Sequence, residues 1–416
     1  MMHDKSTPHT SSLQTKSTPT RKARPSMNIK HGKTAFLLSL PRSLALLSLA
    51  ALVLTATGIP AQKKSKDTGS DRITTSQGKV LRKLEVIDEG FREITYKKSG
   101  KEQKIPTVEV TKIEWGDVPD SFERAGVAAD KGDWEKAANL YQDAANASTR
   151  SAFTAAAGYL ALDALLKTST GDPTKASSAA SAAQAWIDKN PDHHKTPDTM
   201  AMLGKFWLLA AQPDQALAAF KKLEATVNAK TLPTTWLARA RYGQAISLTD
   251  KGDFQKARQA YGSAAATLRN QDLSKDPEAA AIFVAAEVGT GETMMAEGKH
   301  EDAMRNFQQI KMVAGANEAL KTAATCGEAA ALVEIAIASK DHKKLRTAQD
   351  QLARVSAMDL LDGDSSAKAL YYLGKVVMAL GKDEPDSARR SKRYFESVVQ
   401  GYPDSSWAVE AQRALK

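Results

Sequence analysis

The spacing of apolar residues divides the chain into two regions with different periods. Between residues 71 and 115 apolar and polar positions alternate, which is the pattern of half-buried β-strands. Glycine-containing pairs at 77–78, 89–90 and 99–100 interrupt this alternation and mark turns. We therefore predict four or five short antiparallel strands that form a small, strongly bent, barrel-like module.

Beyond Pro119 the period becomes helical, and alanine is the commonest residue. The clearest unit runs from Phe122 to Ala144, with a turn at Gly132-Asp133-Trp134 between two helices. Small and aromatic residues recur in its second helix, at Ala137, Tyr141 and Ala144. This unit resembles a tetratricopeptide repeat, whose hairpins must stack to bury their apolar faces. The resemblance implies a mainly α fold, an α-α solenoid of helical hairpins, over residues 119–416.

The turn pattern recurs along the rest of the chain and predicts about seven hairpins. The turns fall at residues 132, 171, 211, 252, 298, 340 and 381. Their spacing is close to forty residues rather than the usual 34. We expect the additional residues to lie in longer helices or in loops between hairpins.

Two further resemblances concern the ends of this folded region. The strand pattern of residues 71–115, with Ile105-Pro106 before the last strand, is similar to Sm-like or SH3-like modules of exported proteins. The stretch from Ala388 to Leu415 resembles the repeats of outer-membrane assembly and Tol-Pal-associated periplasmic proteins. Asp404 or Ser405 should begin a helix that caps the last hairpin.

The N-terminal region predicts export. Residues 1–61 hold eight Lys or Arg against one acid, and residues 43–58 are apolar or small throughout. One alternative is a signal peptide cleaved near Gly58 or Ala61, and the other is an uncleaved anchor in the inner membrane. Residues 62–70 then form a polar linker, and both alternatives place the folded part in the periplasm or cell envelope.

Charge and cysteine content limit the function further. The formal net charge is +10, but from residue 116 onward 37 bases face 38 acids. The basic excess therefore lies in the N-terminal third, and a nucleic-acid groove on the helical region is not indicated. The single cysteine, Cys326, excludes intrachain disulfides.

No pattern of catalytic or cofactor-binding residues stands out. The sequence has no glycine-rich phosphate loop followed by Lys-Ser or Lys-Thr, and no nucleophile elbow. Seven histidines are present, of which His193 and His194 lie between two prolines in a loop that we expect to be solvated. We predict no enzyme activity, no cofactor and no metal site.

The tetratricopeptide resemblance supplies candidates for binding residues, because first helices line a concave groove in that family. The groove-facing register falls on Asp198, Lys205, Leu208, Arg239, Tyr242, Ile246, Val288, Glu292 and Met295. The alternative is that these residues are only tolerated on a solvated face or are covered by the chain itself.

These observations predict a non-enzymatic exported scaffold or adaptor that binds other proteins or peptides of the cell envelope. The alternative is a structural envelope protein that self-assembles into homo-oligomers through the β module. We expect no nucleic-acid partner, and membrane contact only through a retained N-terminal segment.

Overall fold

A computed structural model describes residues 70–313, 318–357, 363–403 and 405–416. The predicted basic region, the signal peptide or anchor and nearly all of the linker lie outside these residues.

The first region forms one antiparallel sheet of five strands. The strands are β1 (Asp71–Thr75), β2 (Val80–Glu89), β3 (Glu93–Lys98), β4 (Lys101–Pro106) and β5 (Val110–Glu114). Their order is β4-β3-β2-β1-β5, so the last strand returns to pair with the first. Gly78 and the Ser99-Gly100 pair have positive φ at the tight turns, as the sequence predicted.

One face of the sheet forms a small apolar core against the first hairpins. Its buried side chains are Ile73, Leu84, Val86, Ile94, Tyr96 and Ile105, joined by Ala152 from the helical region. The alternation read from the sequence places these side chains on a common face, because successive side chains in a strand point in opposite directions.

The helical region contains fifteen helices within the described residues. They are α1 (Asp120–Asp130), α2 (Trp134–Ala147), α3 (Ser151–Thr168), α4 (Pro173–Lys189), α5 (Thr196–Leu209), α6 (Pro213–Lys230), α7 (Thr234–Asp250), α8 (Phe254–Leu268), α9 (Pro277–Ala296), α10 (His300–Ile310), α11 (Glu318–Ser339), α12 (His342–Ser356), α13 (Gly363–Leu380), α14 (Ser387–Gly401) and α15 (Ser406–Ala414).

Consecutive helices pack as hairpins, and the hairpins stack in order. From α3 to α13, each odd-numbered helix also contacts the next odd-numbered helix, which makes the first helices of the hairpins one continuous layer. Helix α15 packs on α13 and α14 at the C-terminal end, and the Ser405 hydroxyl caps it by accepting the Trp407 N–H at 3.2 Å. The predicted fold class, a mainly α solenoid preceded by a small antiparallel β module, is confirmed.

The turns follow a common local chemistry. All seven predicted turn positions hold a residue with positive φ, and five of these residues are glycine. At four turns the next residue is an aspartate whose carboxylate accepts a backbone N–H of the second helix, which caps it. These aspartates are Asp133, Asp172, Asp253 and Asp341.

Glycines in the first helices let aromatic side chains of the second helices pack against the backbone. A Cβ added to Gly204 on α5 or to Gly243 on α7 would lie 2.4 Å or 2.3 Å from the ring of Phe220 on α6. Phe307 on α10 is held in the same way between Gly291 and Gly327. Each ring therefore joins its own hairpin to the next one, which is how the stack excludes water.

Among the described residues, one helix, Glu318–Ser339, is long and apolar enough by length and composition to cross a membrane. This helix is α11, and it packs against α9, α10, α12 and α13 with eleven buried residues. Its apolar character is accounted for by this position inside the stack. Cys326 is buried on the same helix.

Candidate functional site

The β module is attached to the solenoid by a buried ion pair. The Asp71 carboxylate at the start of β1 is 1% exposed and pairs with Arg150, which precedes α3. It also accepts the backbone N–H groups of Val86 and Gly116, each at 2.8 Å. The carboxylate has several donors, so its burial is compensated.

A second attachment joins the end of β2 to the loop between α4 and α5. Gly90 forms an antiparallel bridge with His193. The His194 N–H donates to the Glu89 carbonyl at 2.8 Å, and the Phe91 N–H donates to the Asp192 carbonyl at 3.0 Å. This loop therefore adds to the sheet as a short strand-like segment.

A cavity of about 590 Å³ lies between these two attachments. Consecutive residues of β5, from Val110 to Glu114, border it, and so do apolar side chains of the first hairpins, among them Phe122, Val127 and Leu160. Side chains of consecutive strand residues point to opposite faces. Since all five residues border the cavity, it lies along one edge of β5. The other edge pairs with β1, and no second strand among the described residues pairs with β5.

Glu89, His193 and His194 converge at one end of this cavity. Glu89 Oε1 lies 3.5 Å from His193 Nε2, and Glu89 Oε2 lies 3.5 Å from His194 Nδ1. Oε1, Nε2 and Nδ1 are buried and have no hydrogen-bond partner. Burial, with the nearby His193 and Lys195, lowers the pKa of His194 to about 3.

The expectation that this histidine pair is solvated is wrong for His193, which is 7% exposed. The loop docks on the sheet, and the His193 ring packs edge-on against Trp186 at a centroid distance of 5.2 Å. Glu89 was not singled out from the sequence. It ends a strand that is far from the histidines in sequence, and the two segments meet only when the β module docks.

Four of the nine predicted groove residues are charged. Three of them form ion pairs, and the fourth, Lys205, is half-buried. Arg239 on α7 pairs with Asp198 on α5 at 3.3 Å and also with Glu278 on α9. Glu292 on α9 pairs with Lys368 on α13. Burial, and secondly the charge of Arg239, lower the pKa of the half-buried Lys205 to about 8.

The other five residues lie in or against the apolar cores. Tyr242, Ile246 and Val288 are 3%, 8% and 1% exposed. Leu208 and Met295 are partly buried and each packs against two neighbouring clusters. Asp198, Arg239 and the partly exposed Lys205 share one surface, whereas the three buried side chains have no access to a partner in this structure. Partner binding by the nine residues stays a prediction.

No family model and no curated protein matches this sequence. Among solved structures, the chain is similar to a tetratricopeptide repeat protein from Parabacteroides merdae, at 12% identity and a TM-score of 0.49, with 71% of this chain and 96% of that chain covered. It is also similar to the apo form of RapI, at 11% identity and a TM-score of 0.46, with coverages of 70% and 96%. A third is NprR in complex with its cognate peptide NprX, at 10% identity and a TM-score of 0.46, with coverages of 71% and 81%. The hairpin architecture of this chain rests on its own packing rather than on these distant likenesses.

Proposed function

We propose that this protein is a non-enzymatic adaptor that binds an extended segment of a partner protein in the cavity between β5 and the first hairpins. The observation that carries the proposal is the edge of β5 from Val110 to Ile113, with which no described strand pairs, along an apolar cavity of about 590 Å³. A sheet edge offers unpaired backbone N–H and C=O groups, and an extended peptide can satisfy them by adding a strand.

The walls of the cavity suit the side chains of such a segment. Phe122, Val127 and Leu160 give apolar surface on the helical side, and Lys112, Glu114 and Glu123 add charge. Main-chain hydrogen bonds would supply affinity, while alternate side chains of the bound strand would enter the apolar part of the cavity.

The layer of first helices is a less favourable binding surface. Arg239 is already paired with both Asp198 and Glu278 across three helices, and Glu292 is matched by Lys368. A partner would have to break these pairs, and exposing one buried charge without its partner is costly. The outer sheet edge, β4, carries Lys101, Glu102 and Lys104, and such charges discourage strand pairing.

We also propose that the adaptor acts outside the cytoplasm, in the periplasm or cell envelope. The support is the basic segment followed by apolar residues 43–58 in the sequence. Self-assembly through the β module stays the alternative, and static light scattering of the purified chain would detect it.

Selection of peptides from a random library on the immobilised protein tests the binding proposal. We expect enriched sequences with alternating apolar residues, and a selected peptide should bind with a Kd that fluorescence polarisation can measure. Val127→Lys should weaken this binding at least tenfold, because Val127 is 41% exposed and borders the cavity.

Val108→Lys is the matched control. Val108 is 87% exposed on the β module and is not among the residues that border the cavity. This variant should bind the selected peptide like the original protein. The proposal fails if no sequence is enriched, or if both lysine variants bind equally well.

A further inference from the structure

We propose that Glu89, His193 and His194 form a binding site for a zinc-class divalent metal ion at the junction of the β module and the solenoid. One ligand atom from each residue, a carboxylate oxygen or a ring nitrogen, lies within 4.8 Å of the other two. The inference is independent of peptide binding in the neighbouring cavity.

The distances fit a shared ion. Two ligand atoms that each lie about 2.1 Å from a zinc ion at tetrahedral angles are separated by about 3.4 Å. His193 Nε2 lies 3.5 Å from Glu89 Oε1, and His194 Nδ1 lies 3.5 Å from Glu89 Oε2, so each ring nitrogen is near this separation from one oxygen of the carboxylate. The three ligand atoms lie within 4.8 Å of one another, so the side chains must move closer together to share one ion.

The hydrogen-bonding state of the three side chains points in the same direction. Glu89 and His193 are 4% and 7% exposed, and buried polar groups of this kind nearly always have a partner. Here Glu89 Oε1, His193 Nε2 and His194 Nδ1 face one another with no hydrogen bond. A cation between them would satisfy all three atoms, and the 3.5 Å separations from Glu89 to the histidines are longer than an ordinary N–H···O hydrogen bond.

The ligand types favour zinc over magnesium or calcium. Two imidazoles and one carboxylate are the donor set of many zinc sites, and the harder ions prefer oxygen ligands only. The ammonium group of the neighbouring Lys195 is paired with Asp198 at 3.7 Å. All three residues border the cavity, so a water molecule there could serve as a fourth ligand.

Binding has one local cost that gives a specific signature. His193 Nδ1 accepts the Lys195 N–H at 3.0 Å, so the neutral ring carries its proton on Nε2. An ion bound to Nε2 displaces that proton, and Nδ1 takes up a proton in its place. Nδ1 then no longer accepts, and the hydrogen bond from Lys195 must open.

The consequence for the molecule is a metal clamp. Glu89 ends β2, and the two histidines lie in the loop between α4 and α5, so the ion would join the sheet to the second and third hairpins. An ion that binds the folded chain and not the unfolded chain stabilises the folded chain by mass action. We expect zinc to stabilise this junction.

The test uses the full chain purified without a histidine tag. Isothermal titration with Zn²⁺ should give one ion per chain, and Co²⁺ should give visible absorption bands typical of a four-coordinate or five-coordinate site. Glu89→Gln and His194→Asn should each weaken zinc binding at least tenfold. Amide hydrogen exchange at Lys195 should become faster with zinc, while exchange in β2 becomes slower.

His342→Asn is the matched control, because His342 and Asp383 form an exposed histidine–carboxylate pair. It should leave the zinc affinity unchanged. The inference is overturned if zinc does not bind, if Glu89→Gln binds zinc as tightly as the original chain, or if His342→Asn is the variant that loses it. If circular dichroism shows that a variant is unfolded, the test is amide hydrogen exchange of the original chain with and without zinc. The site is overturned if zinc leaves the exchange at Lys195 unchanged.

Discussion

At the scale of single residues, the buried carboxylates of this protein differ in whether they have partners. Asp71 accepts two backbone N–H groups and pairs with Arg150. Asp250, at the end of α7, has a buried oxygen, Oδ1, without a hydrogen bond. Burial therefore raises the pKa of Asp250 to about 7. A carboxylate with donors tolerates burial, and one without them favours its protonated form.

Asp250→Asn should change how stability depends on pH. The pKa in the folded state, about 7, is above the ordinary aspartate value of 3.8, so the folded chain keeps a proton that the unfolded chain releases. Stability is therefore lost as pH rises from about 4 to about 7. Asparagine stays neutral, and the variant's gain in free energy of unfolding should be larger at pH 8 than at pH 5 by on the order of 2 kcal/mol. Urea denaturation at both pH values measures this difference.

Asp143→Asn is the control, because it makes the same change at an exposed position. We expect no difference between the two pH values for this variant. An equal gain for Asp250→Asn at pH 5 and pH 8 would contradict the assignment of a raised pKa.

At the scale of the helices, the stacking of hairpins depends on contacts between rings and glycines. Phe220 on α6 packs against Gly204 of its own hairpin and against Gly243 of the next. The second helices thus contribute aromatic rings, and the first helices contribute surfaces without side chains. This complementarity explains why small residues recur at one position of each unit.

Gly243→Ala should weaken the packing between two hairpins. The added methyl group would lie 2.3 Å from the Phe220 ring, so the ring or the helix must shift. We expect the free energy of unfolding to fall by about 1–3 kcal/mol, as for other over-packed cores. Urea denaturation followed by circular dichroism measures the change.

Gly262→Ala is the matched control, within the same hairpin as Gly243. A Cβ at Gly262 on α8 has no atom within 4 Å, and the residue is exposed. Alanine should there raise the free energy of unfolding by up to about 1 kcal/mol, because it restricts the unfolded chain. Equal effects of the two substitutions would rule out the proposed contact.

At the scale of the whole molecule, the β module is held to the solenoid by a few specific contacts. The pair between Asp71 and Arg150 joins β1 to the start of α3, and the Glu89 carbonyl receives the His194 N–H from the loop between α4 and α5. The candidate metal site lies at the second of these contacts, and the same residues border the cavity. Their geometry therefore depends on how firmly the module is attached.

Asp71→Asn should loosen this attachment. The substitution removes the negative charge opposite Arg150 in a position that is 1% exposed. Breaking one partner of a buried pair costs about 3 kcal/mol. We expect faster amide hydrogen exchange in β1 and β5, with unchanged exchange in the distant helices α11 to α13.

Glu93→Gln is the control for this change, because Glu93 and Lys104 form an exposed ion pair at 2.9 Å on the same sheet. Screening by water makes such a pair contribute little to stability, so amide hydrogen exchange in Glu93→Gln should match that of the original chain. If Asp71→Asn made amide hydrogen exchange uniformly faster throughout the solenoid, the effect of losing this contact would not be confined to the β module, and the prediction would be wrong.

Much of the fold could be predicted from the sequence, because it depends on local patterns. The turns at Gly132, Gly252 and Gly298 follow from residues that adopt positive φ without strain, and the aspartates after Gly132 and Gly252 cap the next helices. The strand region was recognised from its period of two. These signals act over a few residues, so no knowledge of distant contacts is needed.

The candidate site could not be predicted in the same way. The sequence placed binding residues on the first helices, but it does not state that Arg239 meets both Asp198 and Glu278 or that Tyr242 is enclosed. The spacing of repeats identifies a helix face. Whether that face is open depends on the side chains of two neighbouring hairpins.

The sequence by itself determined the succession of strands, hairpins and turns, since hydrophobic period, capping residues and glycines act locally. The tertiary structure alone decided where polar side chains meet. Glu89 joins His193 and His194 only because the docked sheet brings a strand end to a loop between hairpins. The cavity beside them exists because β5 pairs with β1 and leaves its other edge facing the helices.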